Sequence, residues 1–171
     1  MHYLNTSFLT RVIGLLIFIL PGAAFATAQI PDDLVIDGKR HAIFTEPLRL
    51  YLENNKQAAE ILRKEISNTC SASWRGYRGF WQITDNKLYL IKLEVDPCDN
   101  QPDLIPLSKL FPDSKGPVHA HWFSGKLIIP QGKMVEYVHM GYGSKYESYL
   151  VISIEQGKIT ASKIVKNRPD H

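Results

Sequence analysis

The sequence is short of cysteine, of net charge and of long apolar runs, and each shortage excludes something. Only two cysteines, Cys70 and Cys98, occur in 171 residues, so one disulfide is the limit. Net charge is +3, from 20 Lys and Arg against 17 Asp and Glu. So mild a balance does not point to nucleic acid as the main partner, and none is expected. Beyond residue 28, no apolar run approaches the roughly 20 residues of a membrane-spanning helix. Catalytic signatures are missing too: there is no H-E-x-x-H, no G-x-S-x-G and no G-x-x-x-x-G-K-[ST]. The carboxylates Asp32-Asp33, Asp96 and Asp99 are adjacent or in loops, not spaced as a working acid and base.

What is present begins with an export pattern. Arg11 precedes the apolar run Val12 to Leu20, Pro21-Gly22 breaks it, and small residues follow. Ala24-Phe25-Ala26 and Ala26-Thr27-Ala28 both match an A-x-A cleavage site. Residues 1–28 therefore read as a signal peptide cleaved near Ala26 or Ala28, leaving one β-rich domain over residues 29–171. The expected location is periplasmic or secreted, with no stable membrane span after cleavage. In that setting Cys70 and Cys98 favour a disulfide over a metal pair.

The chain is organised around the stretch those cysteines enclose. Trp74 to Ile83 reads as a strand, Asp85-Asn86 as a turn and Lys87 to Val95 as the returning strand. If Thr84 faces Lys87, Cys70 faces Gln101, and a bulge near Gly76 or Gly79, or a bend at Pro97, is needed to bring Cys98 into reach. Tyr77, Trp81, Tyr89, Ile91, Leu93 and Val95 form the expected core row. Trp74, Arg78 and Phe80 fall on the other face. They form a candidate binding surface, since Trp and Arg are enriched at the energetic centres of interfaces. The alternative is that the helix at Gln57 to Ile66 covers this face and both sides are core.

Elsewhere, Leu34-Val35-Ile36, Asp37-Gly38 and His41 to Phe44 predict a hairpin. Pro47 to Glu53 predicts a helical turn or two, interrupted by Asn54-Asn55. Gln57 to Ile66, with Ala58, Ile61, Leu62 and Ile66 at helical spacing, predicts the main helix. Asp96 to Pro106 reads as polar loop. Strands are expected over Val118 to Phe123, Lys126 to Ile129, Met134 to Met140, Tyr146 to Ile154 and Lys158 to Val165, with turns between them. The expected fold is α+β and mostly β: an antiparallel meander or partly open barrel of about eight or nine strands with one main helix.

Two further constellations carry possible chemistry. His119 and His121 lie two apart, hence on one face of a strand. With His139 as a third ligand they form a candidate zinc site, and a metal-dependent hydrolase is the alternative reading that follows. Met140 to Lys145 reads as a glycine-rich hairpin turn, with an anion nest as the rarer use. No catalytic residue is otherwise assigned, and no cofactor is expected outside the zinc alternative.

The run Trp74-Arg75-Gly76-Tyr77-Arg78-Gly79-Phe80-Trp81, followed by Lys87-Leu88-Tyr89-Leu90 and later by Glu136-Tyr137-Val138-His139-Met140-Gly141-Tyr142-Gly143-Ser144, resembles a set of small uncharacterised bacterial proteins. The resemblance spans roughly residues 34–160 and implies no activity. By size and compartment alone, an immunity-type protein that neutralises a toxin is an analogy. The expected function is non-catalytic binding of an envelope protein or exported ligand on a β-sheet face, with a structural envelope component as a further alternative.

Overall fold

The computed structural model describes residues 27–169. The expected signal segment lies outside the described residues, apart from Thr27 and Ala28. No helix among the described residues is long and apolar enough to cross a membrane.

The first hairpin forms as its turn chemistry requires. Strands β1 (Asp32–Ile36) and β2 (Lys39–Ile43) join through Asp37 at φ 49° and Gly38 at φ 75°. Two helices follow, where one main helix was expected. Pro47 opens α1 (Pro47–Asn54), because a first helical residue needs no N–H and φ is already set. Leu48 is its fully buried anchor. Asn55 then breaks the run and caps the next helix: its Oδ1 accepts from Ala58 N at 3.0 Å. That helix, α2 (Lys56–Glu65), buries Ala58 and Leu62 and leaves Glu60 and Arg63 paired in solvent.

The central hairpin comprises β3 (Tyr77–Thr84) and β4 (Lys87–Val95). Asp85 and Asn86 both adopt positive φ, 50° and 57°, as a tight two-residue turn demands. The strand starts three residues later than expected, because Cys70 to Gly76 is spent in successive turns closed by Ser73 N to Cys70 O and Gly76 N to Ser73 O. Register also shifts once. Trp81 faces Leu90, but Phe80 faces Lys92, so Ile91 is an extra residue on β4. That bulge overturns part of the expected core row: Leu88, Leu90, Leu93 and Val95 are buried, while Tyr89 and Ile91 are only half-buried.

The expected disulfide forms between Cys70 and Cys98, with Cα atoms 6.6 Å apart. The bulge does not deliver it, since an extra residue on β4 carries Cys98 further from register. The turns at Cys70–Gly76 and at Asp96, with Asp96 N bonded to Gly76 O, fold the two ends back together. Closing this loop stabilises the fold by roughly 3–4 kcal/mol in the chain-entropy account.

Five more strands complete the sheet: β5 (Asp103–Ile105), β6 (Val118–His119), β7 (Gly125–Glu136), β8 (Lys145–Glu155) and β9 (Lys158–Val165). Short β5 lies inside the segment expected to be polar loop. A 3₁₀ turn, Leu107–Lys109, follows it. The expected turn at Pro130-Gln131-Gly132 is instead an irregularity inside one 12-residue strand, β7, with Gly132 at φ 75°. The expected strand Met134 to Met140 ends at Glu136, and residues 137–144 form a loop.

Strand order is β2-β1-β3-β4-β9-β8-β7, with β5 and β6 also on β4. The sheet is mixed, because β1 runs parallel to β3, which corrects the expectation of sequential antiparallel pairing. The two helices occupy the crossover between them. The sheet does not close into a barrel. Its two ends approach where Phe44 N donates to Ile128 O, Thr45 Oγ1 donates to Lys126 O and Ile128 N donates to Thr45 Oγ1. The main core lies between the helices and one face of the sheet, centred on Trp81, Leu90, Leu93, Leu127 and Ile152. A smaller cluster of Phe44, Ile128, Tyr149 and Val151 fills the other face of β7 and β8.

Candidate functional site

A cleft of about 500 Å³ opens where the two ends of the sheet approach one another. Its walls come from separate parts of the chain. Phe44 and Thr45 follow β2, Arg49 and Leu50 lie on α1, Trp74 and Arg75 form the turn before β3, Phe123 to Lys126 lead into β7, and Gly141-Tyr142 belong to the loop before β8. The walls are mostly apolar. Trp74 stands at the rim with 60% of its surface exposed.

Behind the lining of the cleft, beneath Arg75, the buried Asp32 forms a polar floor. Its carboxylate has no exposure and takes three donors: Arg75 Nη2 at 2.6 Å and Gly79 N at 2.9 Å on Oδ1, and Trp81 Nε1 at 2.8 Å on Oδ2. Gly79 has no alternative here, since a Cβ would lie 2.7 Å from Trp81 Nε1 and 2.8 Å from Asp32 Oδ2. Burial pushes the Asp32 carboxyl above its ordinary pKa, while Arg75, Trp81 and Gly79 oppose that. Three N–H donors on two oxygens match the hydrogen-bonding capacity of a carboxylate.

Arg75 links this floor to the cleft. Burial works against its charge, but Asp32, ahead of Tyr142 and Glu46, holds the guanidinium pKa above its usual value. Its Nη1 lies 3.7 Å from Glu46 Oε1 and makes no hydrogen bond. Tyr142 completes the group: its hydroxyl donates to Glu46 Oε1 at 3.2 Å, and its ring stacks on Phe44 with centroids 5.2 Å apart. Burial pushes the Tyr142 phenol up, so it stays a neutral donor across the physiological range. From the C-terminal side, Arg168 Nη1 donates to Tyr142 O, and its guanidinium lies 5.7 Å from the Phe44 ring. The loop wall is therefore fastened at both ends.

The sequence-derived candidates separate in space. Of Trp74, Arg78 and Phe80, only Trp74 lines the cleft. Phe80 is 8% exposed, covered by Arg78 at 5.0 Å and Lys92 at 4.3 Å from its ring centroid. Arg78 pairs with Asp33 Oδ2 at 3.0 Å. That face of β3 is thus closed by its own long cations and not by α2, which packs on the main core. Long side chains lying over an aromatic ring cover apolar area without a second structural layer.

The histidines are spread as well. His119 and His121 rings sit 6.4 Å apart, and His121 Nδ1 lies 3.2 Å from His119 O. His119 Nε2 is buried under the β8–β9 turn without a hydrogen-bond partner. His139 packs on Tyr137 in the exposed loop after β7. Among the described residues, no three His, Cys, Asp or Glu side chains are placed to hold a metal ion. Glu136, at the end of β7, pairs with Lys145 at 2.7 Å. The glycine-rich loop read as a hairpin turn, with an anion nest as its rarer use, supplies a wall of the cleft through Gly141 and Tyr142.

Sequence reasoning missed Asp32, Glu46 and Tyr142 as partners of one site. A signal existed: a strand crowded with Arg and Trp N–H donors needs a buried acceptor, and a carboxylate at the start of β1 supplies it. Comparison with protein-family models, curated proteins and solved structures returns no match for this chain.

Proposed function

We propose that this is an exported, non-catalytic binding protein that holds a small amphipathic ligand in the cleft between α1, the Trp74 turn and the Tyr142 loop. The observation that carries this reading is the cleft itself: about 500 Å³, mostly apolar, with an exposed tryptophan at its rim. Cavities of roughly 300–1,000 Å³ with apolar walls and a few fixed polar groups are the usual seats of small ligands. The polar groups here are held before any ligand arrives, through Asp32–Arg75 and Glu46–Tyr142. Such preorganisation lowers the cost of binding.

Catalysis has less support. Asp32 is saturated with donors, and the three histidines do not converge. Export is supported by the N-terminal pattern and by the Cys70–Cys98 disulfide, which suits an oxidising compartment. The periplasm or the exterior is the proposed location, with cleavage near Ala26 or Ala28.

The test is a thermal-shift screen of small amphipathic compounds against the exported chain, read alongside tryptophan fluorescence. A ligand should raise the melting temperature and change emission in the native protein. In Trp74→Phe the melting shift should persist while most of the emission change is lost. Ligands that stabilise the protein equally when the cleft is obstructed by Gly125→Trp would overturn the assignment, as would a screen without any hit.

A further inference from the structure

A different part of the sheet is open to a partner. Strand β4 has three neighbours along its outer edge: β9 at Lys87, β6 at Tyr89–Leu90 and β5 at Leu93–Val95. The short strands β6 and β5 occupy the places that β9 would otherwise take. β9 therefore touches β4 only through the pair Lys87–Lys158 and the bond from Ile159 N to Asn86 O, then departs. From Ala161 to Val165 it is paired with β8 on one side and with no strand on the other, among the described residues. Thr160 to Ile164 are all exposed, and Ile164 shows 72% of its surface.

This edge differs from that of β7 at the end of the sheet. The outer edge of β7 is met by Phe44 and Thr45 near its start, and further along it is broken by register shifts around Gln131, Met134 and Glu136. Bulges of that kind blunt an edge against added strands. After the bulge at Thr160, β9 pairs regularly with β8 and contains neither Pro nor Gly. Five residues, Ala161 to Val165, give about 17 Å of ladder, within the usual range of strand lengths.

Charge decides which strand fits. Lys158, Lys163 and Lys166 lie along this stretch, no acidic residue lies between 158 and 166, and none of the three lysines has an ion-pair partner among the described residues. A second copy of β9 would bring lysines against lysines, which like-charge repulsion disfavours. An acidic strand meets complementary charge and gains the free backbone groups.

We propose that the open edge of β9 takes an extended acidic segment of a partner protein as an added strand. Alternating faces set its pattern: acidic side chains opposite Lys163, and apolar ones opposite Ile164. Backbone bonds supply affinity and side-chain alternation supplies selection, as in strand addition generally.

The experiment uses the exported chain with three capped hexapeptides: alternating Glu and Val, alternating Lys and Val, and the Glu–Val peptide with a central proline. Binding is measured by calorimetry, and hydrogen exchange of the amides from Ala161 to Val165 is followed by NMR. The Glu–Val peptide should bind at least tenfold tighter than the Lys–Val peptide. It should slow exchange in β9 at least tenfold and weaken as salt rises. Proline should abolish the effect. The exposed double change Lys163→Glu with Lys166→Glu should reverse the preference between Glu–Val and Lys–Val. Equal binding of the two alternating peptides, or binding without protection in β9, overturns the proposal. So does a dimer that protects these amides with no peptide present.

Discussion

The indole N–H of Trp81 reaches Asp32 Oδ2 at 2.8 Å across the bare Cα of Gly79, joining the centre of the core to the start of the first strand. The Trp74-to-Trp81 run therefore has a structural logic. Arg75, Gly79 and Trp81 all serve one buried carboxylate, and Gly76 turns the chain at φ 68° beside Ile66.

Removing that carboxylate should be severe. Asp32→Ala leaves the Arg75 guanidinium and the Trp81 indole without their acceptor, and breaking a buried pair from one side costs about 3–5 kcal/mol. Trp81→Phe keeps the ion pair and should cost less, about 1–3 kcal/mol for the lost hydrogen bond and the smaller ring. Urea denaturation of both variants checks the order. An Asp32→Ala protein within about 1 kcal/mol of native would sink this account of the motif.

Asp96 makes stability depend on acid. Burial raises its pKa, but the Ser67 hydroxyl at 2.5 Å, the Asn68 amide at 3.0 Å and the Ser67 amide outweigh that and hold the carboxyl below its usual 3.8. A lowered folded-state pKa gives stability that is present above 3.8 and is lost as pH falls through the folded value. Ser67→Ala should shrink that acid-dependent loss. Denaturation midpoints between about pH 5 and 2 measure it, and identical profiles for native protein and variant would refute the linkage.

Two glycines separate backbone strain from steric conflict. Gly38 and Gly157 share φ 75°, but a Cβ at Gly38 meets open space, whereas one at Gly157 comes within 2.7 Å of Ala120 O and His119 Nε2. Gly38→Ala should cost only the left-handed strain, about 1–2 kcal/mol. Gly157→Ala adds the collision with backbone and should cost at least about 1 kcal/mol more. Comparable melting temperatures for the two variants would contradict the packing of the β8–β9 turn on His119.

Trp74 and Phe80 should part in the same way. Trp74→Ala removes an exposed rim residue and should leave stability within about 0.5 kcal/mol. Phe80→Ala removes a ring enclosed by Arg78 and Lys92 and should cost about 3 kcal/mol. Thermal melts of each variant, beside ligand titration, distinguish a binding residue from a packing residue. A destabilised Trp74→Ala would place Trp74 in the second class.

The local elements were legible because their causes are local. Asp37-Gly38 and Asp85-Asn86 make their turns through φ preferences that reside in those residues, Asn55 caps α2, and period 3.6 marks its buried face. The disulfide followed from the count of cysteines, and the nine-strand, mostly β composition followed from the spacing of turn signals. The details of pairing did not follow. The extra residue at Ile91 changes which side chains of β4 point inward, and nothing in Lys87 to Val95 announces it, because a bulge is settled by both strands and the layer beneath them. The parallel union of β1 with β3 depends on the path of two helices between them. Of the candidate site, Trp74 and the glycine-rich loop around Tyr142 were legible, but not their meeting. Asp32, Glu46, Arg75 and Tyr142 lie up to 110 positions apart, and a buried carboxylate finds its donors only once the sheet has brought them together. Sequence alone determined the pieces, their turns and the single cross-link. Tertiary structure decided which face of the central hairpin is closed, where the cleft lies and which edge is left unpaired, because burial and long-range pairing are properties of the assembled sheet.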